Sequence, residues 1–84
     1  MFSVEITETA AKFLRKLEKK QAEIILNKIY SVRENPFPHI ERLQGQNLWK
    51  LRVMDYRAVL HIVISGQKII VVRIGHRKNV YDRF

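Results

Sequence analysis

The chain has 84 residues, which predicts a single domain over residues 1–84 and excludes a second hydrophobic core. Sixteen lysines and arginines against eight acidic residues give a formal net charge of +8, so polyanions, with nucleic acid first among them, are the expected partners. The lack of cysteine excludes a disulfide framework, and no apolar run is long enough for a signal peptide or a membrane span, so we expect a cytoplasmic protein without membrane contact.

The first predicted elements are a strand and a helix. Phe2, Val4 and Ile6 alternate with polar residues, a period that is typical of a half-buried strand. Thr7 or Thr9 can cap the following helix, because a hydroxyl oxygen accepts a hydrogen bond from an unpaired N–H at a helix start. The apolar residues of this helix recur at helical spacing and are Ala10, Phe13, Leu14 and Leu17.

A second amphipathic helix is predicted before a pair of prolines. The polar stretch 18–21 is expected to hold a tight turn. The helix after it has an apolar face formed by Ala22, Ile25, Leu26 and Ile29. It ends before Pro36, because Asn35-Pro36-Phe37-Pro38 is the strongest breaker in the chain. The two helices are therefore expected to form a hairpin that lies on a sheet.

Three strands are predicted after the prolines. They run from Leu48 to Val53, from Tyr56 to Ile64 and from Lys68 to Ile74, with a tight turn at Ser65-Gly66. Short connections make them an antiparallel meander, and the first strand is expected to pair at one edge. The predicted fold class is α+β: an amino-terminal strand, a helical hairpin, and a three-stranded antiparallel meander that forms one sheet with the first strand.

The strand register predicts a basic face on this sheet. If Met54-Asp55 is a two-residue turn, Arg52 lies opposite Arg57, and the apolar residues of both strands share the other face. Two arginines across a strand pair repel each other unless an anion such as phosphate lies between them. The next turn places Ile74 opposite Arg57, so the tail leaves the sheet at the same end. The residues expected to converge there are Lys50, Arg52, Arg57, His76, Arg77 and Tyr81.

A solvated surface is the alternative interpretation of this basic face, because exposed charges also prevent sheets from aggregating. Trp49 and Tyr81, taken singly, favour packing over base stacking. His39 and His61 are expected to be structural or simply exposed. The three histidines are widely separated and lack acidic residues at ligand spacing, so we expect no metal site and no cofactor. Neither a glycine-rich phosphate loop nor a serine nucleophile motif occurs.

Several short motifs follow one another in the second half of the chain: Leu43-Gln44-Gly45, Leu48-Trp49-Lys50-Leu51-Arg52-Val53, Asp55-Tyr56-Arg57-Ala58-Val59 and Gly75-His76-Arg77 with Val80-Tyr81. Each motif alone is weak. Their order and spacing resemble the RelE/ParE toxin superfamily, and the order of strand, helices and meander matches as well. The resemblance thus covers nearly the whole chain.

The resemblance implies a RelE-like toxin of a type II toxin–antitoxin pair. RelE-like toxins enter the ribosomal A site and cleave messenger RNA. A cognate RelB-like antitoxin neutralises them, and operator DNA is contacted only through the toxin–antitoxin complex. The catalytic positions that the resemblance carries over are Lys50, Arg52 and Arg57 in the strands and Arg77 and Tyr81 in the tail.

Proton transfer is where the sequence departs from the family pattern. The second basic position is often lysine in RelE-like enzymes, whereas Arg52 stands here, and arginine stays protonated. His76 and Lys50 are the competing candidates for proton transfer: histidine is the residue type that exchanges a proton near neutral pH, and Lys50 is the alternative base. The 2′-hydroxyl of the RNA serves as nucleophile in this hypothesis, so the endoribonuclease would need no metal.

Two other functions fit the same family. ParE-like relatives poison DNA gyrase and commonly lack the basic residues, and a degenerate member would bind its antitoxin without catalysis. The presence of the basic residues here favours RNA cleavage. The antitoxin groove is expected along the helices, where Leu14, Leu17, Ile25 and Tyr30 are candidates that the sequence cannot separate from the core.

Overall fold

The computed structural model describes residues 1–43 and 47–80, so Gln44, Gly45 and Tyr81 lie outside the described residues. The helices and strands in chain order are β1 (Ser3–Ile6), α1 (Glu8–Lys16), α2 (Lys19–Ser31), a 3₁₀ turn (Phe37–His39), β2 (Ile40–Arg42), β3 (Trp49–Val53), β4 (Tyr56–Val63) and β5 (Lys68–His76). The strands form one mixed sheet in the order β1-β5-β4-β3-β2, in which β1 pairs parallel with β5 at one edge and the other pairs are antiparallel. The α+β prediction, with the first strand in the same sheet, is confirmed.

Both helices pack on one face of the sheet. The core joins Ala10, Leu14, Ile25 and Ile29 of the helices to the apolar residues of the central strands. Leu14 and Ile25, which the sequence left open as antitoxin contacts, are therefore core residues, whereas Tyr30 is exposed. No helix within residues 1–43 and 47–80 is long and apolar enough to cross a membrane.

The start of α1 confirms one of the two predicted caps. The hydroxyl oxygen of Thr7 accepts a hydrogen bond from the N–H of Ala10 at 3.3 Å. The tight turn predicted within 18–21 lies earlier and is shorter, because α2 already begins at Lys19 and the connection is only Leu17 and Glu18. Lysines in the exposed first turn of an amphipathic helix look the same in sequence as a polar loop.

The edge strand β2 was not predicted. Ile40 pairs with Leu51 and is buried, while Glu41 pairs with Lys50. Three residues are too few to show a period-2 pattern, and pairing with β3 is what makes this segment a strand. The predicted limits of the other strands differ by one or two residues, and β5 continues through Gly75 to His76.

The register of β3 and β4 is the predicted one, with Val53 opposite Tyr56 and Arg52 opposite Arg57. The register of β4 and β5 is the predicted one from Val63 opposite Lys68 to Leu60 opposite Val71, and it shifts beyond that point. Leu60 pairs with Val71 but Val59 pairs with Arg73, so Val72 has no partner on β4. Such a bulge turns every later side chain to the other face.

The bulge corrects the predicted pairing of Ile74 with Arg57. Ile74 instead lies opposite Ala58 and is buried in the core, and Gly75 lies opposite Arg57. Without the extra residue, the Ile74 side chain would lie on the basic face and leave the core. Burial of this apolar side chain is the physical reason for the altered register.

Candidate active site

A cavity of about 200 Å³ lies on the side of the sheet opposite the helices. Its lining residues come from the 3₁₀ turn and three neighbouring strands and are His39, Glu41, Lys50, Arg52 and Arg57. Along β3, Leu51 and Val53 are buried in the core, so the alternating Lys50 and Arg52 reach the other face. The sequence thus brings three of the predicted basic residues into one cavity.

The paired arginines have different environments. Arg52 is exposed, whereas Arg57 is half-buried. Nη1 of Arg57 donates hydrogen bonds to the carbonyl oxygens of Met54 at 2.9 Å and Tyr56 at 2.8 Å, which holds its guanidinium at the β3–β4 turn. Guanidinium groups match the geometry of phosphate oxygens, so an arginine pair is of a type that suits a phosphate ligand.

Lys50 forms an ion pair with Glu41 across the β2–β3 pair, with 3.7 Å between Nζ and Oε2. The Glu41 side chain is 78% exposed and that of Lys50 34%. Exposed pairs of this kind contribute roughly 0 to 1 kcal/mol. A pair this weak allows an anion to compete with Glu41 for Lys50.

His39 and Glu41 are the cavity residues that sequence reasoning missed. Both flank the buried Ile40, and residues on either side of a buried strand position share the opposite face. Their signal in the sequence was the alternation around Ile40, which is visible only once β2 is known to be a strand.

His76 does not join the cavity, so its predicted convergence with the basic residues is wrong. It lies opposite Tyr56, and the two rings contact edge to face at 6.1 Å between centroids. Tyr56 in turn contacts Phe13 of α1, which places this cluster on the helical side of the sheet. The cause is again the bulge at Val72, which turns His76 away from Arg57.

Arg77 follows directly after β5 and is exposed. Its backbone N–H donates to the carbonyl oxygen of Asp55 at 2.8 Å, so it lies at the β3–β4 turn, near the strand ends that carry Arg52 and Arg57. Tyr81 lies outside the described residues.

A second cavity of about 390 Å³ lies between α1 and β5. Its lining residues are Thr9, Lys12, Phe13, Lys16, Arg73 and Ile74. This cavity is larger, but none of the predicted site residues lines it. Among the described residues, no three histidine, aspartate or glutamate side chains are grouped so that they could hold a metal ion.

Comparison with known proteins places this sequence and fold among toxins. The family model described as "ParE toxin of type II toxin-antitoxin system, parDE" matches residues 4–81. No curated protein matches the sequence. Several solved structures share the fold over nearly the whole chain.

Three of these structures come from different organisms. The toxin–antitoxin complex RelBE2 of Mycobacterium tuberculosis superposes with a TM-score of 0.81 at 20% identity, covering 90% of this chain and 98% of that one. The isolated RelE toxin of E. coli gives 0.75 at 26% identity, covering 90% and 84%. A YoeB/ParE toxin from Agrobacterium tumefaciens gives 0.72 at 21% identity, covering 89% and 98%.

Proposed function

The chain belongs to the RelE/ParE superfamily of type II toxin–antitoxin toxins, through the ParE toxin family, and we propose that it is a ribosome-dependent endoribonuclease that cleaves messenger RNA in the A site. The observation that carries this proposal is the cavity in which Lys50, Arg52 and Arg57 meet. Three cations in one small cavity repel one another unless an anion lies between them. A phosphodiester group of RNA supplies such an anion.

The proposed reaction uses the substrate's own 2′-hydroxyl as nucleophile. It attacks the adjacent phosphorus and expels the 5′-oxygen of the next nucleotide. Arg52 and Arg57 stabilise the charge that develops on the phosphoryl oxygens. Arg57 is preorganised for this task, since two carbonyl oxygens already fix its guanidinium. The cavity of about 200 Å³ has several times the roughly 30 Å³ that one water molecule occupies in the liquid, so it has room for a phosphate.

The tail supplies the remaining proposed contacts. Arg77, anchored through its backbone at the β3–β4 turn, clamps the same phosphate or assists the leaving oxygen. Tyr81, which matches the tail tyrosine of the family, stacks on a base or orients the scissile nucleotide in this proposal. His76 has no proton-transfer role in this proposal, because it packs on Tyr56 on the other side of the sheet.

The proposed partners are a RelB-like antitoxin, the ribosome and messenger RNA, with operator DNA bound only by the toxin–antitoxin complex. Relatives with the same fold were solved as RelE–RelB complexes from E. coli and from Pyrococcus horikoshii, which supports an antitoxin of that kind. A cytoplasmic location follows from the proposed ribosomal target.

Cleavage of a defined messenger in an active translation extract tests the proposal by primer extension. Wild type is expected to cut within codons only when ribosomes translate the message. Arg57→Ala removes a positively charged hydrogen-bond donor that is held in place beside the reacting phosphate. The variant is expected to lower the cleavage rate about 100-fold to 1000-fold.

Arg77→Ala is measured beside it, and Lys28→Ala is the matched control. Lys28 is an exposed cation on α2, and its loss changes the net charge equally without touching the cavity. An intact messenger under wild-type protein, in an extract that translates normally, would refute the ribonuclease proposal.

Inhibition of DNA gyrase is the second candidate, because the matching family model is that of ParE toxins and the resemblance implies that ParE-like relatives poison gyrase. A gyrase supercoiling assay separates the two activities. If wild type and Arg57→Ala inhibit supercoiling by gyrase to the same extent, gyrase is the target. Inhibition through protein–protein contact does not require an arginine that binds phosphate. A catalytically inactive member of the family would inhibit neither translation nor supercoiling by gyrase.

A further inference from the structure

We propose that His39 and Glu41 share the proton transfers of the cleavage step, an inference that rests on the proposed ribonuclease function. His39 is the proton donor to the leaving 5′-oxygen, and Glu41 is the acceptor of the 2′-hydroxyl proton. Neither residue belongs to the set that the sequence analysis singled out, and both enter the cavity because β2 forms the edge of the sheet.

The placement of both residues follows from the edge strand. Glu41 lies directly opposite Lys50, and Ile40 lies opposite Leu51. Since Ile40 is buried in the core, its neighbours on either side reach the face that holds the cations. The segment from His39 to Glu41 thus borders the cavity beside the two strands that carry the arginines.

The other groups of the cavity are unsuited to proton transfer. Arg52 and Arg57 stay protonated, because guanidinium does not release its proton in proteins. Lys50 pairs with the Glu41 carboxylate in the free protein and binds the phosphate in the proposed reaction. Among the described residues that line the cavity, His39 is the only imidazole and Glu41 the only carboxylate.

Ordinary acid–base chemistry decides the direction of each transfer. A carboxylate accepts a proton at neutral pH, and an imidazolium donates one near neutrality. As the 2′-oxygen bonds to phosphorus, its proton passes to Glu41. As the bond from phosphorus to the 5′-oxygen breaks, His39 gives its proton to that oxygen. The products are a 2′,3′-cyclic phosphate and a 5′-hydroxyl, and both side chains then exchange protons with water.

Binding of the phosphate prepares the carboxylate for this role. In the free protein Lys50 pairs with Glu41 at 3.7 Å. A phosphate between Lys50 and the two arginines competes for the ammonium and weakens its hold on Glu41. The Glu41 carboxylate can then contact the 2′-hydroxyl while the cations hold the phosphate.

A substrate with sulfur in place of the leaving 5′-oxygen tests both assignments. Sulfur departs without being protonated, so it removes the need for a proton donor but not for a proton acceptor. Single-turnover cleavage is measured on programmed ribosomes with the natural messenger and with one that carries sulfur at the single cleavage site. Wild type, His39→Gln and Glu41→Gln are compared. His61→Gln is the control, since His61 lies on β4 outside the cavity lining.

On the natural messenger, both variants are expected to lose about 100-fold or more in rate, which is typical for loss of a general acid or base. On the sulfur substrate, His39→Gln is expected to recover to near the wild-type rate, while Glu41→Gln stays slow. His61→Gln is expected to match wild type on both. The side chains of His39 and Glu41 are exposed, so both variants are expected to fold. Unchanged thermal unfolding temperatures are the check.

The possible failures are distinguishable. If wild type cleaves neither substrate, the proposed function itself is refuted. If wild type cleaves and His39→Gln cleaves equally fast, His39 is not the donor. A slow His39→Gln that sulfur does not rescue also overturns the donor role. A Glu41→Gln variant that is fully active, or that sulfur rescues, overturns the acceptor role.

Discussion

At the scale of single residues, the contact between Gly75 and Val80 ties the tail to the sheet. Gly75 lies opposite Arg57, and Val80 is buried although it follows the last strand. A Cβ added at Gly75 would lie 3.1 Å from Cβ of Val80. The absence of a side chain at Gly75 therefore allows the turn that begins at Arg77 to fold back over the face that carries the cavity.

Gly75→Ala is expected to destabilise the protein by about 1 to 3 kcal/mol, the usual range for overpacking. Urea unfolding measures this directly. Gly66→Ala is the matched control, since its added Cβ would have only Val63 nearby, at 3.9 Å. Equal unfolding midpoints for the two variants would show that Val80 moves aside without cost.

At the scale of the elements, Thr7 joins the first helix to the irregular part of β5. Its hydroxyl oxygen accepts from the N–H of Ala10, and its hydroxyl donates to the carbonyl oxygen of Val72 at 2.8 Å. Val72 is the residue that the register shift leaves without a partner on β4. One side chain therefore caps α1 and satisfies a carbonyl group at the bulge.

Thr7→Ala is expected to lower the free energy of unfolding by about 2 kcal/mol, because it removes both a helix cap and a second hydrogen bond. Thr7→Ser keeps the hydroxyl and is expected to retain most of the stability. Thermal or urea unfolding of the three proteins measures the difference. A serine variant as unstable as the alanine variant would assign the effect to the methyl group instead.

The elements also show which predictions depend on short-range patterns. The helices and the β3–β4 hairpin were predictable because period, cap and turn residues lie close together in the chain. β2 was not predictable, since its three residues become a strand only by pairing with β3. The cavity could be predicted for Lys50, Arg52 and Arg57, but its histidine and carboxylate depend on that missed strand.

At the scale of the whole molecule, positive charge exceeds negative charge by eight. Ion pairs among the described residues include Arg15 with Glu8, Lys50 with Glu41 and Lys68 with Glu5, and neither Arg52 nor Arg57 belongs to one of these three pairs. A chain with a net charge of +8 attracts RNA over long distances, and this attraction weakens with salt.

Binding of a single-stranded RNA is therefore expected to weaken as salt rises from about 50 to 200 mM, with each phosphate contact adding about 0.7 to the slope of log affinity against log salt. Arg52→Ala is expected to reduce that slope by about 0.7, and Lys28→Ala is expected to leave it nearly unchanged. Fluorescence anisotropy at several salt concentrations provides the measurement. An unchanged slope in Arg52→Ala would place the RNA elsewhere on the surface.

The sequence by itself determined the two amphipathic helices, the β3–β4 register and the opposition of Arg52 and Arg57, because neighbouring residues decide periodicity and hairpin register. Only the tertiary structure decided that β2 completes the sheet, that Val72 shifts the register of β5, and that His76 faces the helices while His39 enters the cavity. These features depend on burying side chains such as Ile40 and Ile74 against strands distant in sequence. The balance between core burial and strand pairing is settled only when the whole sheet assembles.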